Sequence, residues 1–316
     1  MFRTIFRPNK KETDAGFEGG NDPVEITLPP GLYRQLDRLR LRGSRHLRGR
    51  NLGRRASLRR RPDSDFREHR QYVPGDDVRF VDWKASARSE QIYMKQGELP
   101  QETTIHLLLD TSASMAWGAP SKRAGILQLA AALGYLALAN DDRLNVIPVG
   151  AGSPRPPIQI KGKAQFPALL KFLSNIPFEG QADLVAGLRE FTQHNRGGVV
   201  ILLSDLLDIP DLPAALKTLP RPTWYVTLLH VLHPEELAPT LSGEFEIADA
   251  ETGEHANFDI TAHSLAGYHR HLQTWLDAVE LACIESDVFY ARLSTGLSLD
   301  SEAVPYLRQV GILEPV

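Results

Sequence analysis

A single cysteine, Cys283, among 316 residues excludes an intrachain disulfide and leaves no thiolate set for a metal cage. It falls in a helix-like segment, where it reads as a small buried apolar residue in a reducing compartment. No apolar run approaches the length needed to span a bilayer, and the basic opening Met1–Lys11 lacks the apolar stretch of a secretory leader. The expectation is a cytoplasmic protein with no membrane span. Enzyme signatures are missing as well. There is no Gly-x-Ser-x-Gly elbow, no Gly-x-x-x-x-Gly-Lys phosphate loop and no Gly-x-Gly-x-x-Gly dinucleotide turn. The histidines do not combine with a carboxylate and a nucleophile at a recognisable spacing; His230 and His233, three apart, read as solvated rather than metal-binding. These absences weigh against catalysis.

What is present is concentrated at residues 105–117. Ile105 to Leu109 form a short, almost unbroken apolar run, the pattern of a strand covered on both faces of its sheet. Asp110, Ser112 and Ser114 follow at alternate positions, and then a helical pattern from Ser121 to Asn140 that is apolar on nearly every side. Strand, polar turn and buried helix describe a βα unit of an open parallel sheet, whose ligands sit beyond the carboxyl ends of the strands. A carboxylate and two hydroxyls converging there suit a hard cation such as magnesium. The same serines could simply cap the next helix.

Apolar strand patterns recur at Leu144–Val149, Ile158–Ile160, Val199–Leu203, Trp224–Leu229 and Val288–Leu293, with helices at 166–173 and 185–194. Leu241–Ile260 reads as a β-hairpin through a Thr-Gly turn. His263–Cys283 is an amphipathic helix whose Tyr268 and Trp275 belong to the core. Val304–Ile312 is a short terminal helix. Residues 1–30 read as a flexible lead with one short strand at Val24–Leu28, and Gly31–Leu41 as a helix. Pro74-Gly75 marks a turn, and Val78–Trp83 suits a strand.

Charge is unevenly placed. Residues 31–70 hold fourteen Arg against Asp37, Asp63, Asp65 and Glu68, a local excess of +10 in a chain of net charge −3. An Arg-rich arm of this kind could bind nucleic acid, but the interleaved aromatics of single-strand binders are missing. An arm folded against an acidic main domain is the favoured reading, which makes nucleic acid an unlikely partner. Asp76, Asp77, Arg79, Asp82, Lys84 and Arg88 alternate too densely in sign to be core, and are the candidate partner-binding surface.

The Asp110-x-Ser112-x-Ser114 turn resembles the metal-ion-dependent adhesion site of von Willebrand factor A domains. Tyr72, Pro74-Gly75-Asp76-Asp77, Arg79, Asp82-Trp83, Ala85 and Ala87-Arg88, followed by Asp110 to Met115, together resemble the bacterial family catalogued as domain of unknown function 58. The resemblance runs from about Gly43 to the C-terminus. It implies a doubly wound, mainly parallel α/β sheet of von Willebrand factor A (Rossmann) type, with a small N-terminal β-containing appendage; the hairpin read at 241–260 would be an insertion near the C-terminus. The corresponding organisation is a lead at 1–30, an arm and small β region at 31–100, and the α/β domain at 101–316. The resemblance also implies metal ligands Asp110, Ser112, Ser114 and Asp205 for Mg2+ or Mn2+. Ala182 stands where that family supplies a threonine hydroxyl, with Asp183 beside it as a substitute that could reach inward. By resemblance, the function expected is a non-enzymatic protein-interaction adaptor with an open sheet-top site. It would work with a MoxR-type AAA+ ATPase in assembly or maturation of a client protein. Nucleic-acid binding through the arm and metal-dependent phosphoester hydrolysis are the alternatives.

Overall fold

The computed structural model describes residues 4–8, 23–44, 66–73, 78, 81–89, 91–97, 103–119, 121–150, 156–207, 209 and 211–316. The chain divides into two compact units: Met1–Ser44 with Thr104–Val316, and Arg45–Thr103. The larger is built on a six-stranded sheet. Its strands are β1 (Thr104–Asp110), β2 (Arg143–Val149), β3 (Ile158–Lys161), β4 (Gly198–Ser204), β5 (Trp224–Leu232) and β6 (Phe289–Ser294). They lie in the order β6-β5-β4-β1-β2-β3, all parallel except β2 with β3. This is the expected doubly wound arrangement. Strand order reverses between β1 and β4, which opens the crevice at their carboxyl ends.

Both faces of the sheet are covered, as the apolar runs require. Leu108, Val200, Leu202, Val226 and Leu228 pack on one face with Leu188, Phe191, Val279 and Cys283 from the helices Leu184–His194 and Ala262–Glu285. Burial pushes the Cys283 thiol up to about 12, an inert apolar filler as expected. The helix Lys122–Ala139, buried on nearly all sides, sits centrally; the Ser121 hydroxyl caps it by accepting from Ala124 N at 3.2 Å.

Gly198 shows how tightly β4 meets β1. Its φ is +149°, and a Cβ there would lie 2.5 Å from the Thr104 carbonyl oxygen. The obstacle is backbone and cannot swing away. Gly198→Ala is therefore expected to cost about 2–3 kcal/mol in urea unfolding with an unchanged m-value, and a loss under about 0.5 kcal/mol would show that the strands can part there.

Several local expectations are corrected. Val24–Leu28 has no regular structure. The helix read at Gly31–Leu41 stops at Leu36, and Leu39–Leu41 instead pairs antiparallel with Leu313–Pro315, which also shortens the terminal helix to Val304–Gln309. The leucine spacing was helical, but pairing with a strand from the far end of the chain decides the segment. Residues 31–44, read as the start of the arm, group with the larger unit. The Gly243–Asp249/His255–Ile260 hairpin forms as read and pairs with Thr4–Pro8.

In the smaller unit, Phe66–Gln71 and Tyr93–Gly97 form an antiparallel pair, and Val81 bridges Met94. Of the strand read at Val78–Trp83, Arg79 and Phe80 lie outside the described residues, Val81 makes an isolated bridge, and Trp83 instead opens a short helix, Trp83–Ser86. Asp82 caps it by accepting from Lys84 N at 3.0 Å and Ala85 N at 3.1 Å. Most of the Arg-rich arm lies outside the described residues, as do Pro74-Gly75, Asp76, Asp77 and Arg79.

Candidate functional site

The carboxyl end of β1 delivers Asp110 and turns immediately. Thr111 N donates to Val149 O at 3.0 Å, and the following loop is pinned by Ala113 N to Gly180 O at 2.9 Å and Glu179 N to Thr111 O at 3.0 Å. These bonds bring Ser112, Ser114 and the segment carrying Ala182 to the crevice. The carboxyl end of β4 delivers Ser204 and Asp205 alongside. Ser112 and Ser114 do not act as helix caps: Ser112 precedes the Ala113–Ala116 turn of helix without a side-chain cap bond.

The polar groups are joined end to end. Asp110 Oδ1 accepts from Ser112 N at 3.0 Å, and its Oδ2 accepts from the Ser204 hydroxyl at 2.6 Å. The Ser112 and Ser114 hydroxyls lie 3.0 Å apart, and Ser114 donates to Asp205 Oδ2 at 3.2 Å. That same Oδ2 accepts from Lys122 Nζ at 2.7 Å, while Asp205 Oδ1 accepts from Leu207 N at 3.2 Å. Lys122 also donates to Glu236 Oε1 at 2.6 Å, and Glu236 Oε2 accepts from His233 N at 2.6 Å. Asp110, Ser112, Ser114 and Asp205 are at most 3% exposed and Lys122 is fully buried. The expected open position is closed, because a lysine from the start of the central helix fills the crevice.

Electrostatics follow from that arrangement. Burial would lower the Lys122 ammonium, but the charges of Asp205 and Glu236 outweigh it and hold it protonated, well above the ordinary lysine range. Burial would raise Asp205, yet the Lys122 charge and hydrogen bond keep its carboxyl below the usual range. Burial, and then the Asp205 charge, push Asp110 up to about 6. His230 donates from Nε2 to Asp205 O at 2.9 Å and accepts at Nδ1 from the Tyr290 hydroxyl at 2.9 Å. That fixes the neutral tautomer, and burial pushes its pKa down to about 4.

The donor set fits an ammonium better than a divalent cation. Every carboxylate oxygen of Asp110 and Asp205 already accepts a hydrogen bond, the position of the missing threonine carries the buried methyl of Ala182, and a protonated lysine sits among them. A divalent ion about 4 Å from that ammonium would face repulsion of roughly 8 kcal/mol at an effective dielectric of about 20. Asp183 offers no substitute: it is exposed and caps its own helix by accepting from Ala186 N at 2.8 Å. Among the described residues no group of three or more His, Cys, Asp or Glu side chains is placed to hold a metal ion.

The family model described as "Protein of unknown function DUF58" matches residues 68–274, spanning this crevice and the Asp82–Arg88 segment. The chain belongs to the DUF58 family. An uncharacterized protein of Mycobacterium tuberculosis (strain H37Rv) is 28% identical over 206 residues, covering 63% of this chain and 64% of the relative. An uncharacterized protein of Mycobacterium bovis matches equally. This chain thus spans less than two thirds of the length of these curated relatives. Among solved structures, BatB from Bacteroides thetaiotaomicron is 13% identical with a TM-score of 0.38, covering 66% of this chain and 98% of that one. The SpRpn10 VWA domain is 13% identical with a TM-score of 0.39, covering 65% and 95%.

Of the residues singled out in the sequence of this DUF58 protein, Asp110, Ser112, Ser114 and Asp205 do meet. His230 and His233 are not solvated: both are buried, His230 beneath Asp205 and His233 with its ring edge-on to Trp117 at 4.9 Å. Lys122, Glu236 and Ser204 were missed. Lys122 had a legible signal, since a cation in the first turn of a helix opposes the macrodipole and calls for an anion nearby. Glu236 had one as well, as the third helical residue of a capping box begun by His233. Of the charged surface set, Lys84 and Arg88 are exposed and Asp82 is half-buried.

Proposed function

We propose that this chain is a non-enzymatic protein-interaction adaptor, binding its partner through the Asp82–Arg88 strip of the smaller unit. The observation that carries the reading is Trp83, which is 67% exposed between Asp82 and the exposed Lys84, with exposed Arg88 one turn on. Tryptophan and arginine are the side chains that dominate binding energy at interfaces, and a tryptophan left bare on a capped helix invites a covering partner. Two of the crevice's charged groups are also poorly suited to proton transfer. Lys122 is held protonated and cannot serve as a base, while Asp205, kept ionised by it, is too weakly basic to activate Ser114.

The partner we propose, on family resemblance, is a MoxR-type AAA+ ATPase, with the pair acting in assembly or maturation of a client protein. Co-purification of such an ATPase with wild type, Trp83→Ala and Lys84→Glu/Arg88→Glu tests this. Loss of the indole is expected to weaken binding by roughly thirty-fold or more, equivalent to about 2 kcal/mol, with an unchanged circular dichroism spectrum. Equal recovery of wild type and Trp83→Ala would sink the surface, and no recovery by wild type would sink the partner.

A further inference from the structure

We infer that the Lys122 ammonium is the resident cation of the sheet-top cluster, and that this chain holds the cluster together without a divalent metal. The inference goes beyond the adaptor reading and stands or falls separately from it. Lys122 is wholly buried, and its ammonium is shared between two carboxylates from distant parts of the chain, Asp205 at 2.7 Å and Glu236 at 2.6 Å. Both carboxylates are held in turn. Asp205 accepts from Ser114 and Leu207 N, and Glu236 seals the Pro234–Leu237 helix by accepting from His233 N. Tyr268 adds a hydrogen bond from its hydroxyl to the Glu236 carbonyl.

The oxygen of Asp205 that faces Ser114 is the one the ammonium occupies, so a metal ion joining those two residues would have to share it with a positive charge. With the Ser114 proton given to Asp205 Oδ2, Ser112 donates to Ser114 Oγ at 3.0 Å, so both serine protons are engaged within the cluster. The lysine could not sit in the first turn of the central helix without this anionic surround, because the helix dipole and burial both oppose it. Ammonium and cluster therefore fit one another.

The probe is Mn2+ added to the full chain, with free ion followed by electron paramagnetic resonance and stability by thermal melting. Wild type is expected to bind no Mn2+ at millimolar concentration and to melt at an unchanged temperature. Lys122→Gln/Glu236→Gln, which removes one charge of each sign, is expected to gain Mn2+ binding and a Tm rise of about 5–10 °C at saturation, both lost when Asp110→Asn is added. Ala182→Thr, which restores the missing hydroxyl but keeps the lysine, is expected to bind no Mn2+. Three results would overturn the inference. One is wild-type Mn2+ binding that Asp110→Asn abolishes. Another is a folded double variant that gains none. The third is Mn2+ binding by Ala182→Thr alone, which would make the absent hydroxyl the cause; this arm holds whether or not the double variant folds.

Discussion

Replacing Lys122 with Met is expected to cost this protein about 3–5 kcal/mol of stability. Methionine nearly matches the lysine stem in volume, so little of the loss comes from packing. What remains is Asp205 and Glu236, both turned toward a buried point where no positive charge answers them. Loss of a cation from the first turn of a helix should return a few tenths of a kcal/mol, too little to compensate. In thermal melts the change corresponds to a fall of roughly 6–20 °C. Lys122→Met/Asp205→Asn should recover a measurable part of the loss, because it removes a charge along with its partner. A single-variant loss below about 1 kcal/mol, or a double variant no better than the single, would mean that the ammonium is not what balances these carboxylates.

Acid should unfold the protein earlier than its carboxylates alone dictate. His106 and His230 are both buried, and burial pushes each down to about 4 from an ordinary 6.5. Each is neutral in the fold: Asn145 donates to His106 Nδ1 at 3.2 Å, and the Tyr290 hydroxyl donates to His230 Nδ1. A base whose folded pKa is depressed stabilises the fold fully above its unfolded value, and that contribution is lost as pH falls from 6.5 through 4. The loss is on the order of 3 kcal/mol for each histidine. Asp110 works in the opposite direction. Its carboxyl, pushed up to about 6, takes a proton in the fold before it does so in the unfolded chain. It therefore returns on the order of 3 kcal/mol across roughly the same interval. The net expectation is a fall on the order of 3 kcal/mol between pH 7 and pH 4, read from urea unfolding at each pH. Asp205, held below the usual carboxylate range, adds its loss only at lower pH. The signs separate the groups: His106→Asn and His230→Asn should each flatten the slope, and Asp110→Asn should steepen it. Identical slopes in all four proteins would refute the assignment.

Much of the architecture was written into local pattern. Ile105–Leu109 and Val199–Leu203 are too uniformly apolar for anything but doubly covered strands, and a helix as apolar all round as Lys122–Ala139 has no place except against the sheet. Because parallel strands with helical crossovers can be wound in few ways, Asp110 and Asp205 were bound to end side by side. Local pattern failed where a distant strand intervened. Leu39–Leu41 carried a helical spacing and became a strand because Leu313–Pro315 lies beside it. At Trp83 a capping carboxylate one residue earlier outweighed the alternation of Val78 to Trp83.

The sequence by itself determined the doubly wound sheet and the meeting of four oxygen-bearing side chains, since periodicity and connection rules act over short spans. Only the tertiary structure decided what those side chains face. Lys122 reaches Asp205 across 83 positions and Glu236 across 114, and no local pattern encodes a contact at that range. Burial then joined those carboxylates to Lys122 in an internal ion cluster, because a charge removed from water must find its opposite within the fold.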